Sequence, residues 1–139
     1  MKRVVKFRGK RTDSDKWSYG NIFQDNGIDY LFNSVDGDKP YFLERFWTPV
    51  RQETIGQYTG LKDINGKDIY EGDILFGIGY QGWYSVVEWN DSVGAFTLRI
   101  SNGILGTNTL GNWLNEDRIS VVGNIHDHPH LIPYKEKLN

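Results

Sequence analysis

Hydrophobic and polar residues alternate with a period of two along much of this chain. In "RVVKFRG" the apolar Val5 and Phe7 alternate with Lys6 and Arg8, and "WYSVVEWN", "AFTLRI" and "RISVVGNI" are further short runs rich in strand-forming residues. A period of two places successive side chains on opposite faces, which is typical of β-strands. The pattern therefore predicts a mainly β fold.

Turn signals separate the predicted strands. Asn26-Gly27 follows "KWSYGNIF", and Asn65-Gly66 lies between Leu61 and Ile69. Both pairs favour tight hairpins because Asn and Gly tolerate positive φ. The segment "NSVDGDKP" is predicted to be a loop, "SNGILGTNTLGNWLNED" an irregular connection, and only "HPHLIPYKEKLN" a helical turn. Several short strands at this spacing indicate a barrel or sandwich with little helix.

The chain of 139 residues is long enough for one domain or for two small subdomains. The pattern changes after Pro49, from aromatic strands to a segment rich in Gly and acidic residues. We expect an N-terminal β subdomain at 1–50, a second β region at 51–126 and a C-terminal tail at 127–139.

Composition agrees with a β protein and restricts its chemistry. The chain has 5 Trp, 8 Tyr, 7 Phe and 16 Gly, which favour strands and turns, and no Cys. The lack of Cys excludes disulfides and thiolate metal sites and fits a reducing compartment. The basic start is not followed by an apolar segment, and no apolar run approaches the ~18 residues of a membrane span. We therefore expect a cytoplasmic protein with no membrane association.

Charge is distributed unevenly. The formal net charge is -2, yet six of the 16 basic residues precede the first acid, Asp13. The rest of the chain is therefore acidic and a poor non-specific binder of nucleic acid. Two interpretations of the basic N-terminal strand stay open: a solvated strand face, or a set of nucleic-acid contacts formed by Lys6, Arg8, Lys10 and Arg11.

The stretch "QYTGLKDINGKDIYEGDIL" is dense in oxygen donors that could suit calcium. An EF-hand loop starting at Asp63 requires an oxygen ligand, a glycine and a glutamate where this chain has Lys67, Asp68 and Ile74. That site is therefore excluded. Glu71 and Asp73 could form a catalytic pair, but carboxylates two apart around a glycine more often serve a turn and a strand start.

The three histidines, His126, His128 and His130, lie within "HDHPH". Zinc or nickel sites usually draw their ligands from separated elements, so adventitious surface binding is the favoured interpretation. We predict no native metal site and no cofactor.

A set of five aromatic residues lies between positions 83 and 113. They could form a platform for single strands or a groove for a Pro-rich peptide, whereas a domain this aromatic must bury many of them. We favour a packed core for this set: Trp83, Tyr84, Trp89, Phe96 and Trp113.

The central stretch resembles the signature of the YopX-like family of small phage and prophage proteins, T-G-L-x-D-x-x-G-x-x-I-Y-E-G-D-I. The flanks "VKFRGK", "KWSYG", "VVEWNDSVGAFTL" and "VVGNIHDHP" are also similar to family segments, although Gly9-Lys10 replaces a frequent Ala-Trp pair. The positions that match the signature are Thr59, Gly60, Leu61, Asp63, Gly66, Ile69, Tyr70, Glu71, Gly72, Asp73 and Ile74.

The resemblance implies a small N-terminal antiparallel β unit followed by an SH3-like β-barrel, and it implies no reaction and no catalytic residues. We interpret the matching positions as structural, with glycines at tight turns and Asp63 and Asp73 bonded to backbone amides.

Three functional hypotheses follow. Two describe a phage- or prophage-encoded accessory protein in the cytosol of a bacterial host, and the third is an enzyme, which would require Glu71 and Asp73 to converge with a histidine in a pocket. The first is a non-enzymatic module that binds a host or phage protein; no nucleophile or nucleotide-binding motif is present in the sequence. The alternative is a nucleic-acid-binding factor that uses the basic N-terminal strand beside exposed aromatics. Pairing of strand edges also makes a homo-oligomer an option.

Overall fold

The computed structural model describes residues 3–32, 47–79, 82–101 and 104–134. The chain divides into two compact units, Met1–Tyr58 and Thr59–Asn139. The boundaries predicted after residues 50 and 126 stay predictions, and the predicted loop "NSVDGDKP" lies outside the described residues.

The first sheet contains six antiparallel strands in the order β4-β3-β2-β1-β5-β6. Its strands are β1 (Phe7–Lys10), β2 (Trp17–Asp25), β3 (Ile28–Phe32), β4 (Trp47–Val50), β5 (Gly56–Lys62) and β6 (Asp68–Tyr70). The predicted Asn26-Gly27 turn joins β2 to β3, with φ of 49° and 77° at its two residues. β5 crosses the unit boundary: its start pairs with β1 in the first unit, and β6 belongs to the second.

The second sheet lies within the second unit and has the order β10-β9-β8-β7-β11. Its elements are β7 (Asp73–Gly77), β8 (Trp83–Asn90), β9 (Ala95–Ser101), β10 (Ile104–Thr109), the helix α1 (Leu110–Glu116) and β11 (Ile119–Asn124). Nowhere in the described chain does a helix have the length and apolar character needed to cross a bilayer.

One apolar core of the second unit contains residues from the sheet and from α1. Leu75, Leu98 and Val87 are almost fully buried here with Leu110 of α1, and Trp113 packs against them. Burying a side chain of this size stabilises the fold by about 1.5–3 kcal/mol. This core therefore joins α1 to the sheet.

A second apolar cluster contains Ile74 and Val86 together with Tyr134 from the C-terminal segment. Tyr134 donates a hydrogen bond from its hydroxyl to Glu88 (3.1 Å), and the guanidinium of Arg99 lies 3.9 Å from the centre of its ring. These contacts hold the segment after β11 against the strands.

Among the residues that the structure describes, the first unit buries fewer large apolar side chains than the second. Leu31 and Val50 are 0% and 3% exposed, and a Cβ at Gly9 would come within 3.0 Å of the Val50 side chain. Arg11 and Val50 also form an isolated β-bridge, which brings the chain after β1 to the end of β4. Close backbone approach at Gly9 thus permits the packing of this small core.

The prediction of a mainly β fold with little helix is confirmed. The described strands form two antiparallel sheets and no closed barrel, so the SH3-like barrel and the separate N-terminal unit stay predictions. The predicted helical turn near the C-terminus is confirmed as a 3₁₀ turn at Pro129–Leu131. The predicted irregular connection was wrong, because that segment forms β10 and α1.

Candidate functional site

Asp63 in the family motif bonds to three backbone amides. Its Oδ1 accepts hydrogen bonds from the amides of Asn65 (2.9 Å) and Lys67 (2.8 Å), and its Oδ2 accepts one from Val121 in β11 (2.9 Å). The side chain is 7% exposed. Gly66, with φ of 81°, completes the turn that Asp63 closes. Asp63 thus fixes a turn and joins it to a distant strand.

Asp73 lies at the other end of the motif and is 2% exposed. Its Oδ2 accepts a hydrogen bond from the amide of Tyr70 (2.8 Å), three residues earlier. The backbone of Gly72 donates to Val87 and accepts from Ile125. The Asp73 carboxylate therefore stabilises the turn that precedes it. This role gives no support to acid–base chemistry by a Glu71–Asp73 pair.

Three basic residues in or next to β1 lie over aromatic rings. The ammonium of Lys6 lies 4.6 Å from the ring centre of Tyr58, and the guanidinium of Arg8 lies 4.8 Å from that of Trp17. Lys10 also lies over Trp17, at 5.7 Å. Arg8 and Lys10 are only 6% and 8% exposed. The interpretation of β1 as a solvated face was therefore wrong for these two residues.

Arg11, the fourth basic residue of the set, lies just after β1. Its Nε donates a hydrogen bond to the hydroxyl of Ser18 (2.9 Å), and its side chain is half-buried. The four predicted nucleic-acid contacts thus do not form one exposed basic surface.

Strands β2, β3 and β4 bring a group of aromatic side chains onto one sheet face. The register pairs Phe23 with Tyr30 and Phe32 with Trp47. The Trp47 ring lies 4.7 Å from that of Phe23 and 4.9 Å from that of Phe32. We call this set the aromatic face: Phe23, Tyr30, Phe32 and Trp47.

An open pocket of about 340 Å³ lies on the aromatic face. We call it the aromatic pocket; Phe23, Tyr30, Trp47 and Asp25 line it. Phe23 is 46% exposed although its ring contacts Trp47. Tyr30 and Trp47 are partly buried. A concavity with partly exposed aromatic walls is typical of binding surfaces.

The five aromatic residues that were predicted to form a packed core divide into two groups. Trp83, Phe96 and Trp113 pack against the core, as predicted. Tyr84 and Trp89 are 40% and 48% exposed, so the prediction of a packed core was wrong for them.

Asp117 connects the loop after β7 to the end of α1. Its carboxylate accepts hydrogen bonds from the amide of Gly79 (3.0 Å), the indole of Trp83 (2.8 Å) and the amide of Arg118 (2.7 Å). Desolvation raises the pKa of Asp117, but these hydrogen bonds together outweigh it, so the pKa lies below its ordinary value. Sequence reasoning did not identify this residue.

The histidine cluster does not form a chelating site. Nδ1 of His128 accepts a hydrogen bond from the amide of Asn124 (3.2 Å), and the rings of His128 and His130 are 6.2 Å apart. In the part of the chain that the structure describes, no group of three His, Cys, Asp or Glu residues is placed to hold a metal.

Sequence reasoning predicted the hairpin of β2 and β3 but neither β4 nor the aromatic face. The signal was present: Phe23 and Asp25 are two apart, and the Asn26-Gly27 turn fixes Tyr30 opposite Phe23. Only Trp47, which follows the undescribed segment, required the structure.

Comparison with known proteins places the chain in a family. The crystal structure of protein EF1440 from Enterococcus faecalis is similar in fold, with a TM-score of 0.58 and 24% sequence identity over 94% of this chain and 99% of that chain. A search of the curated proteins found no match. A family model described as YopX protein matches residues 6–133, and because this is nearly the whole length, the chain belongs to the YopX family.

Proposed function

We propose that this protein is a non-enzymatic accessory protein, encoded by a phage or prophage, that binds a host or phage protein through the aromatic face in the host cytosol. The aromatic pocket carries the proposal. Aromatic side chains are enriched in the centres of protein interfaces, where they contribute a large share of the binding energy.

Two further observations support a binding role over catalysis. Asp73, the better buried carboxylate of the suspected pair, is engaged by its own turn. The aromatic face lies away from the family motif in the chain, and the hydrogen bonds of Asp63 and of Asp73 described above go to backbone amides of the motif and of β11. The motif thus supplies rigidity, and the face supplies the contact.

The alternative, a nucleic-acid-binding factor, has weaker support. Phosphate contacts require accessible cations, because affinity arises from the release of counterions by exposed charge. Arg8 and Lys10 are largely buried, and the Nε of Arg11 is bonded to Ser18.

The proposal is tested by purifying a tagged copy from the host, with and without nuclease and at low and high salt. We expect a protein that copurifies with the unaltered chain and with Ile22→Ala, and is lost with Phe23→Ala. Ile22 is the matched control because it is 37% exposed and precedes Phe23 on the opposite face of β2. A partner retained equally by both variants, or removed by nuclease, contradicts the proposal.

A further inference from the structure

The walls of the aromatic pocket can attract a positive charge. Trp47 lies between Phe23 and Phe32, and Tyr30 lies opposite Phe23 on the neighbouring strand. The face of an aromatic ring carries negative electrostatic potential, and cations within about 6 Å of its centre are stabilised. Several rings around one concavity increase this attraction.

Asp25 adds a full negative charge to the aromatic pocket. It lies two residues after Phe23 in β2, on the same face, and it is exposed. Its carboxylate takes part in no hydrogen bond or ion pair with the residues that the structure describes. On the opposite face of the sheet, by contrast, the carboxylate of Asp29 accepts a hydrogen bond from the side-chain amide of Gln24. Asp25 is thus available to a ligand.

Cation–aromatic contacts already occur within the first unit. Arg8 lies over Trp17 and Lys6 lies over Tyr58, at distances of less than 5 Å. In each pair the positive group belongs to the chain itself. Aromatic rings on the strands of this unit therefore form cation–aromatic contacts in the folded chain.

We propose that the aromatic pocket binds the side chain of an arginine that a protein partner presents. This inference rests on the proposed function and names the chemistry of its contact. A planar guanidinium stacks on an aromatic ring while its N–H groups bond both oxygens of a carboxylate, a combination that the compact ammonium of lysine cannot provide. The aromatic pocket offers both groups, the half-exposed ring of Phe23 and the carboxylate of Asp25 two residues later on the same face.

The test uses the full chain labelled with ¹⁵N and two short capped peptides, Gly-Gly-Arg-Gly-Gly and the same peptide with citrulline, a neutral near-isostere of arginine. The indole N–H signal of Trp47 is assigned by its loss in Trp47→Phe. We expect this signal to shift in a saturable manner with the arginine peptide and not with the citrulline peptide. Equal responses to the two peptides, or no shift at millimolar concentration, overturn the inference.

Asp25→Asn provides the second readout. It removes the charge, keeps the shape, and should weaken binding of the arginine peptide by about threefold to tenfold. Asp13→Asn is the matched control, since it removes an exposed charge outside the aromatic pocket and should leave affinity unchanged. Unchanged affinity in Asp25→Asn overturns the inference.

Partner retention separates this inference from the proposed function. If Phe23→Ala loses the copurifying protein while Asp25→Asn keeps all of it, the face binds a partner without an arginine, and only the inference fails. If neither variant reduces retention, the proposed function itself fails. Loss of the copurifying protein with both variants supports both the proposed function and the inference.

Discussion

Two pairs of aromatic rings in this molecule have similar geometry and different surroundings. In the second unit, Trp83 and Trp113 have ring centres 5.3 Å apart and pack against an apolar core. In the first unit, Phe23 and Trp47 are 4.7 Å apart and line an open pocket. The Trp83–Trp113 pair contributes to folding, whereas the Phe23–Trp47 pair leaves apolar surface exposed.

The difference shows that aromatic content alone does not separate stability from recognition. Trp83 has its indole N–H bonded to Asp117 and its ring against the core, so its contacts are made within the second unit. Phe23 keeps 46% of its surface exposed. Exposed aromatic surface of this kind has value when a partner buries it.

The largest expected contrast is between a core residue and a residue of the aromatic face. Leu98→Ala empties a fully buried position and should lower the free energy of unfolding by about 2–5 kcal/mol. Phe23→Ala removes a half-exposed ring and should cost less than about 1 kcal/mol. Urea unfolding followed by circular dichroism measures both. Equal losses of unfolding free energy in the two variants would contradict the distinction between the core and the aromatic face.

A smaller loss is expected from Gly77→Ala in β7. An added Cβ would overlap the indole of Trp83, whose N–H is fixed by Asp117. Overpacking of this kind costs about 1–3 kcal/mol. Gly111→Ala is the control, because its Cβ would meet only Leu61, at an ordinary contact distance of 3.9 Å. Similar thermal midpoints for the two variants would show that Trp83 is not held rigidly.

Tyr134→Phe should cost about 0.5–1.5 kcal/mol, because it removes the hydrogen bond to Glu88 and keeps the ring under Arg99. Tyr84→Phe, at a 40% exposed position, should leave stability unchanged. Urea midpoints of the two variants are compared. An unchanged midpoint for Tyr134→Phe would mean that the ring alone anchors the C-terminal segment.

The smallest effect is expected at Asp117, whose carboxylate is partly exposed. Since its pKa is lower in the folded chain than in the unfolded chain, the stability it contributes is present above the ordinary range near pH 4 and is lost as pH falls through the folded pKa. Asp117→Asn should therefore have a lower urea midpoint than the parent at pH 7, and the difference should shrink below about pH 4. A difference that stays constant with pH would exclude the charge as its cause.

The strands could be predicted from the sequence because each depends on local information. Alternation predicted β1 and β8, and the Asn26-Gly27 turn predicted the β2–β3 hairpin. The aspartates of the motif were expected to bond backbone amides, and Asp63 and Asp73 do so.

Features that depend on distant contacts could not be predicted in the same way. α1 has only seven residues, although Thr109 accepts a capping hydrogen bond from Asn112 and Leu110, Trp113 and Leu114 follow a helical spacing. Burial of Arg8 under Trp17 and the bond from Asp63 to Val121 link residues that no local pattern connects. Such contacts arise from tertiary packing.

The central claim is that the aromatic face, and not the exposed surface of the second unit, contacts the partner. The most direct test replaces Phe23 with the photo-crosslinking residue p-benzoylphenylalanine and irradiates host cells. The control places the same group at Ile64, which is 61% exposed in the second unit. We predict a nuclease-resistant protein adduct at position 23 and none at position 64. The absence of an adduct at position 23, any protein adduct at position 64, or an adduct at position 23 that nuclease removes would contradict the account.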